Sequence, residues 1–167
     1  AYQAGEISYF IGNAEPAVVV CAPKHFAWVS RIAFSAGTAH VFTLGEAREG
    51  TLLERAAAQP DQHLPAVKQA DDLAAILYTS GTTGRSKGAM LSHGNLLSNA
   101  QVLKTFWAWQ PGDVLLHALP IFHVHGLFVA CHGALLNGSK MIWFGKFEPK
   151  ATIARMADAT VMMGVPT

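Results

Sequence analysis

Short blocks made almost wholly of Val, Ile, Leu and Ala recur along this chain, separated by longer segments with helical period. "AVVVC" (17–21), "HVFTL" (40–44), "LAAILYT" (73–79), "GAMLSH" (88–93), "DVLLHAL" (113–119), "KMIWF" (140–144) and "TVMMG" (160–164) all have strand length. Several lack the polar alternation of a strand with one wet face, so they predict burial on both faces. Solid apolar strands alternating with helices indicate an α/β architecture with a largely parallel sheet.

The intervening segments carry helix signals. Pro23–Ala36 has proline in its first turn, Thr51–Ala58 is short, and Asn95–Trp109 has Ser92 or Asn95 to cap it. "HGLFVACHGALL" reads as a helix closed by Asn137-Gly138, and Pro149–Asp158 as the last one. "QPDQHLPAVKQAD" (59–71) is a polar connector with two prolines. Neither an internal repeat nor a low-complexity tract interrupts the alternation.

With 167 residues, 51% hydrophobic and only 14% charged, the chain is apolar enough to suggest part of a larger body. The expectation is an internal fragment: there is no initiator Met, and "TVMMGVPT" is a buried-type strand at the last residue. A net charge of +1 without a basic run argues against nucleic acid or an anionic membrane as partner. Cys21 and Cys131 sit in apolar surroundings and read as buried free thiols, which suits a reducing compartment. No signal peptide opens the chain, and the apolar run Gly126–Leu136 is too short to cross a bilayer. A cytoplasmic location is expected, or a mitochondrial matrix in a eukaryote.

The most informative stretch is "YTSGTTGRSKGAMLSHGN" (78–95). Thr79–Gly88 packs three glycines and five hydroxyl residues around two charges, Arg85 and Lys87. Small residues let backbone N–H groups approach a ligand, and successive N–H groups form an anion-holding nest. Hydroxyls add adaptable donors, and Lys87 adds a mobile point charge suited to phosphate. The nucleoside-triphosphatase pattern fails, because Ser86 stands where glycine is required before the lysine. The dinucleotide pattern fails as well, since Gly81 and Gly84 have no glycine at 83 between them. Ala89–Leu91 reads as strand, so the segment is a strand–loop–strand clamp for polyphosphate. A hairpin turn with incidental hydroxyls is the competing reading, but hairpin loops are usually shorter.

These residues resemble the pyrophosphate-loop signature of the adenylate-forming enzymes, which include acyl-CoA synthetases, luciferases and adenylation domains. Thr79, Ser80, Gly81, Thr82, Thr83 and Gly84, with Lys87-Gly88, match it residue by residue, while Ser86 replaces the usual proline. "LPIFHVHGL" is similar to the second core motif of the acyl-CoA synthetases, where the resemblance puts Phe122 in the acyl-pocket wall and His123 at the gate to the thiol channel. Together with "ATVMMGVPT", these motifs look most like the malonyl-CoA synthetase branch. For a small diacid, a buried distal carboxylate needs a partner. His125 is a candidate donor to it.

Other readings of the histidine segment stay open. His117, His123, His125 and His132 lie close in sequence, and His-x-His on a strand would put two rings on one face for a metal. No acidic or thiol ligand pattern accompanies them, and structural histidines are the alternative. Trp107 and Trp109 read as helix-end packing before base stacking, and Asp71-Asp72 as a solvated cap before magnesium ligands.

The resemblance implies multi-layered, largely parallel sheets flanked by helices, as a partial N-terminal domain with the C-terminal domain absent. It also implies an ATP-dependent ligase that adenylates malonate or methylmalonate and passes it to coenzyme A, with Mg²⁺ as counter-ion. The ligands are then ATP, coenzyme A and a small dicarboxylate. The adenine, ribose and magnesium motifs and the C-terminal lysine of the family are not found within the 167 residues, so the fragment alone is expected to be inactive. An aryl- or fatty-acyl-CoA ligase, or a non-catalytic nucleotide-binding module, are the rival readings.

Overall fold

A computed structural model of the chain describes residues 2–79 and 86–166. It divides into two compact units, Ala1–Val67 with Ile76–Ala89, and Lys68–Ala75 with Met90–Thr167.

The first unit opens with α1 (Ala4–Ala14), whose Gln3 and Glu6 form a reciprocal cap. Strand β1 (Val18–Cys21) pairs in parallel with β2 (His40–Thr43), Val18 opposite His40 and Cys21 opposite Thr43. Between them a 3₁₀ turn at Pro23–His25 leads into α2 (Phe26–Ser35), which buries Val29 and Ala33. Among the described residues β1 is not covered on both faces. Val18 and Val20 are nearly half exposed while Val19 and Cys21 are partly covered. One face of this two-stranded sheet has no covering layer among the described residues. Helix α3 (Thr51–Ala57) follows a tight turn in which Gly50 has φ +122° and lies against the Thr43 carbonyl. Thr43 N–H donates to Thr51 Oγ1, and Thr51 N–H to Thr43 Oγ1, each at 3.0 Å.

Strands β3 (Leu73–Thr79) and β4 (Lys87–Ser92) form a sheet of their own and supply residues to both units. The strand–loop–strand reading of this region therefore holds at its two strands. Helix α4 (His93–Phe106) starts directly after β4. Both candidate caps act: Asn95 N–H donates to Ser92 Oγ at 3.1 Å, and Ser92 N–H to Asn95 Oδ1 at 3.0 Å. The helix ends at Phe106, earlier than Trp109, because the chain turns at Ala108 with φ +53°. That turn sends Trp109 into the core and leaves Trp107 partly exposed.

The second unit holds the parallel sheet β6–β5–β7, with β5 (Val114–His117) central, β6 (Lys140–Trp143) on one side and β7 (Val161–Met162) on the other. Here the buried-strand reading is correct: Leu115, Leu116 and His117 are essentially inaccessible. Thr160 stitches β7 to β5, donating its hydroxyl to Asp113 Oδ1 at 2.7 Å and accepting Val114 N–H at 3.0 Å. Trp109, Leu115, Ala130 and Ala134 form the core. The expected single helix at 125–136 is in fact two windings. Residues His125–Cys131 are π-helical, and α5 (His132–Asn137) is α-helical, closed by Gly138 at φ +68°. Helix α6 (Pro149–Arg155) is capped by Glu148, whose carboxylate accepts Lys150 and Ala151 N–H. A 3₁₀ turn continues it to Asp158, where the predicted helix ended. Both cysteines are free, Cys131 buried and Cys21 partly so. No helix among the described residues is long and apolar enough to cross a membrane.

Candidate functional site

The two shoulders of the glycine loop are both tied to α1. Before the loop, Tyr78 packs against Phe10 with ring centroids 4.5 Å apart and donates its hydroxyl to Asn13 Oδ1 at 2.6 Å. After it, the Ser86 carbonyl accepts the Tyr9 hydroxyl at 2.9 Å. Thr79 is the last residue of β3 and Lys87 the first of β4, and both are exposed. Gly88 has no room for a side chain: a Cβ there would lie 2.8 Å from Ile76 and 3.2 Å from the Tyr78 ring. The close approach of the two strands below the loop thus depends on glycine. Ser80, Gly81, Thr82, Thr83 and Gly84, together with Arg85, lie outside the described residues.

Sequence reasoning missed Tyr9, Phe10 and Asn13. Their signal was present: Tyr9 and Asn13 stand four apart, on one face of a helix. What the local pattern lacked was any sign that this face meets Tyr78, 65 residues on from Asn13.

In the second unit a cavity of about 590 Å³ opens beyond the carboxyl ends of the three parallel strands. Open α/β sheets characteristically bind ligands at this end. Its wall includes Leu119, Phe122, Trp143, Phe147 and Met163, with Lys146 on the loop after β6. A second cavity of about 340 Å³ is lined by Trp107, Trp109 and His125, and the segment Met162–Gly164 walls both. The three acyl-pocket candidates therefore separate: Phe122 faces the larger cavity and His125 the smaller. His123 is exposed, with its ring 4.5 Å from that of Phe122. The strand geometry assumed for a His-x-His metal pair is not met, since His123 lies in a turn and His125 starts the π-helix. Among the described residues no group of three or more His, Cys, Asp or Glu is placed to share a metal ion.

His117 is the buried polar residue beside the larger cavity. Its Nε2 lies 3.7 Å from Cys131 Sγ, and its ring packs at 4.4 Å on Trp143. Burial pushes its imidazole below the ordinary value of 6.5, against an opposing hydrogen bond with the Leu119 backbone. Burial also lowers His132, and it raises both thiols, so the His117–Cys131 contact joins two neutral groups. For the two imidazoles the unfolded chain binds protons at higher pH than the folded one, so their contribution to stability rises with pH. This contribution is complete above 6.5 and disappears as pH falls through the lower folded values. Denaturant midpoints are expected to drop between about pH 7.5 and pH 5.5, with a shallower slope in His117→Gln. An unchanged slope in that variant would remove His117 from the effect.

The profile of the family described as "AMP-binding enzyme" matches residues 1–167. The apo crystal structure of MatB from Rhodopseudomonas palustris is 51% identical, with a TM-score of 0.95 over 99% of this chain and 33% of that one. Its ATP-bound form gives a TM-score of 0.93 at the same identity, over 98% of this chain and 32% of that one. Among curated relatives, the mitochondrial malonate–CoA ligase of Bos taurus is 30% identical over 97% of this chain and 28% of its own length. The feruloyl-CoA synthase of an Amycolatopsis species is 32% identical over 97% of this chain and 31% of its own. The chain thus spans about a third of the length of the proteins it matches. With the family profile covering all of it, the chain belongs to the AMP-binding enzymes.

Proposed function

We propose that the full-length protein carrying this chain is an ATP-dependent acid–thiol ligase that adenylates malonate or a methyl-substituted malonate and transfers it to coenzyme A. This reading is carried by two likenesses together, 51% identity to the ATP-bound MatB across 98% of the chain and 30% identity to the malonate–CoA ligase of Bos taurus across 97% of it. The substrate carboxylate attacks the α-phosphate of ATP, giving acyl-adenylate and pyrophosphate. The coenzyme A thiolate then attacks the acyl carbon and AMP leaves. In the first step Thr79, Ser80, Gly81, Thr82, Thr83 and Gly84 supply N–H and hydroxyl donors to the β- and γ-phosphates. Lys87 adds positive charge where the leaving pyrophosphate accumulates negative charge. Phe122 walls the acyl pocket, and His123 gates the entry of the thiol. Mg²⁺ accompanies ATP as counter-ion, and among the described residues no group of three or more His, Cys, Asp or Glu is placed to hold it.

A second reading, an aryl- or fatty-acyl-CoA ligase, is favoured by the 32% identity to the feruloyl-CoA synthase of an Amycolatopsis species across 97% of the chain. Acid-dependent ATP–pyrophosphate exchange by the full-length protein, run over malonate, methylmalonate, ferulate and octanoate, separates the two. Preference for malonate supports the first reading, and preference for ferulate or octanoate supports the second. Exchange with none of them leaves a nucleotide-binding module.

A further inference from the structure

The Tyr9 hydroxyl is bound to the peptide carbonyl immediately before Lys87, a contact to which the ligase reading gives no task. We propose that Tyr9 is a positioning residue for the adenylation step, fixing through the Ser86 carbonyl the backbone from which the Lys87 side chain departs. This rests on the role given to Lys87 above and adds the group that aims it.

The planarity of the peptide unit carries the contact one residue further. The Ser86 carbonyl and the Lys87 N–H share one plane, which ends on the Lys87 Cα. Tyr9 donates to the carbonyl oxygen at 2.9 Å and so orients the plane on which Lys87 is mounted. The other flank of Lys87 is fixed by packing. Gly88 lies so close to its neighbours that a Cβ there would fall 2.8 Å from Ile76 and 3.2 Å from Tyr78. Tyr78 is itself held by α1, with its hydroxyl on Asn13 Oδ1 at 2.6 Å and its ring 4.5 Å from that of Phe10. Tyr9 and Asn13 stand four apart on one helix face, so a single face of α1 secures both flanks of Lys87. The lysine side chain has no comparable restraint. It is exposed, and neither a hydrogen bond nor an ion pair of its ammonium is seen among the described residues. On a flexible stem, the mean position of the charge depends on where the stem begins. A charge stabilises a developing anion best when it is in place beforehand. Phenylalanine at position 9 would keep the ring contacts with Phe10 and Tyr78, at 5.8 and 6.1 Å, and lose the bond to Ser86. That substitution therefore isolates the hydroxyl.

The test uses the full-length protein with the acid that the wild type prefers, and it separates the two half-reactions. Tyr9→Phe is expected to lower ATP–pyrophosphate exchange about fivefold to tenfold, the scale of one neutral hydrogen bond. Transfer from preformed acyl-adenylate to coenzyme A should stay within about twofold of wild type. In a Lys87→Ala background the same change should cost less than about twofold more, because the side chain that it positions is gone. Glu6→Ala removes the cap at the start of α1, where Glu6 accepts Gln3 N–H at 2.8 Å, and controls for a general loosening of the helix. It should leave exchange unchanged. Unchanged exchange in folded Tyr9→Phe overturns the proposal and leaves the ligase reading standing. So does a loss that multiplies in full with that of Lys87→Ala, an equal loss in both half-reactions, or a loss of the same size in Glu6→Ala. Wild-type protein that supports exchange with no acid overturns both.

Discussion

Replacing Lys87 with Ala in the full-length protein is expected to lower ATP–pyrophosphate exchange by about 10²–10³-fold while leaving the fold intact. The magnitude follows from the role proposed for it. Removing one preorganised charge or donor aimed at developing negative charge typically costs about 3–4 kcal/mol of transition-state stabilisation. The intact fold follows from its position. Lys87 is exposed at the first residue of β4, and neither a hydrogen bond nor an ion pair of its side chain is seen among the described residues. Its loss should therefore appear in kcat for adenylation and hardly in the denaturation midpoint. Lys87→Arg should recover part of the rate, because charge is kept but a planar fork replaces a compact ammonium. The second half-reaction gives an internal control. Supplied with preformed acyl-adenylate, the Lys87→Ala protein should transfer the acyl group to coenzyme A at close to the wild-type rate. If both half-reactions fall together, Lys87 is not acting on pyrophosphate.

The same region illustrates what a sequence can and cannot disclose. "LAAILYT" was legible to the residue as a strand, because its apolar content and the glycine boundary are local signals. The break between β3 and β4 was legible for the same reason. Its support was not, since the contacts of Tyr9 with Ser86 and of Tyr78 with Asn13 join positions 77 and 65 residues apart. Burial of strands was legible only where a neighbour exists to cover them. The hydrophobic β5 is central in three strands and fully enclosed, whereas the equally hydrophobic β1 sits in a pair and leaves Val18 and Val20 open. Composition reports that a strand seeks cover, and tertiary context decides whether it gets it. The candidate pocket behaved likewise. "FHVH" read as one constellation, but a turn running into a π-helix distributes its side chains between two cavities and the surface.

That π-helix leads to the second large effect, at Gly126. A Cβ built on Gly126 would lie 2.3 Å from the Pro120 carbonyl oxygen and 2.9 Å from its carbon. Both are backbone atoms, so no rotamer change can relieve the contact, unlike a clash with the end of a flexible side chain. Either the π-helix must retreat from the Leu119–Pro120 turn or the turn must move. Gly126 is buried, and the helix packs its Ala130 and Cys131 tightly into the unit. Retreat would open gaps around the core formed by Trp109, Leu115, Ala130 and Ala134. Overpacking of this kind costs about 1–3 kcal/mol, and a rigid backbone contact belongs at the upper end. Gly126→Ala is thus expected to destabilise the protein by about 3 kcal/mol, read from its denaturant midpoint. The alternative response, displacement of the turn, has its own signature, because Leu119, Pro120 and Phe122 wall the larger cavity. A Gly126→Ala protein that stays folded should therefore bind acids with altered selectivity, while its affinity for ATP is unchanged. Gly5 in α1 provides the contrast, since a Cβ there meets nothing within 4 Å. Gly5→Ala should be neutral or slightly stabilising through helix propensity, by about 0.5–1 kcal/mol. Equal midpoints for Gly126→Ala and Gly5→Ala, with acid selectivity unmoved, would show that the approach of the π-helix to Pro120 is looser than its geometry implies.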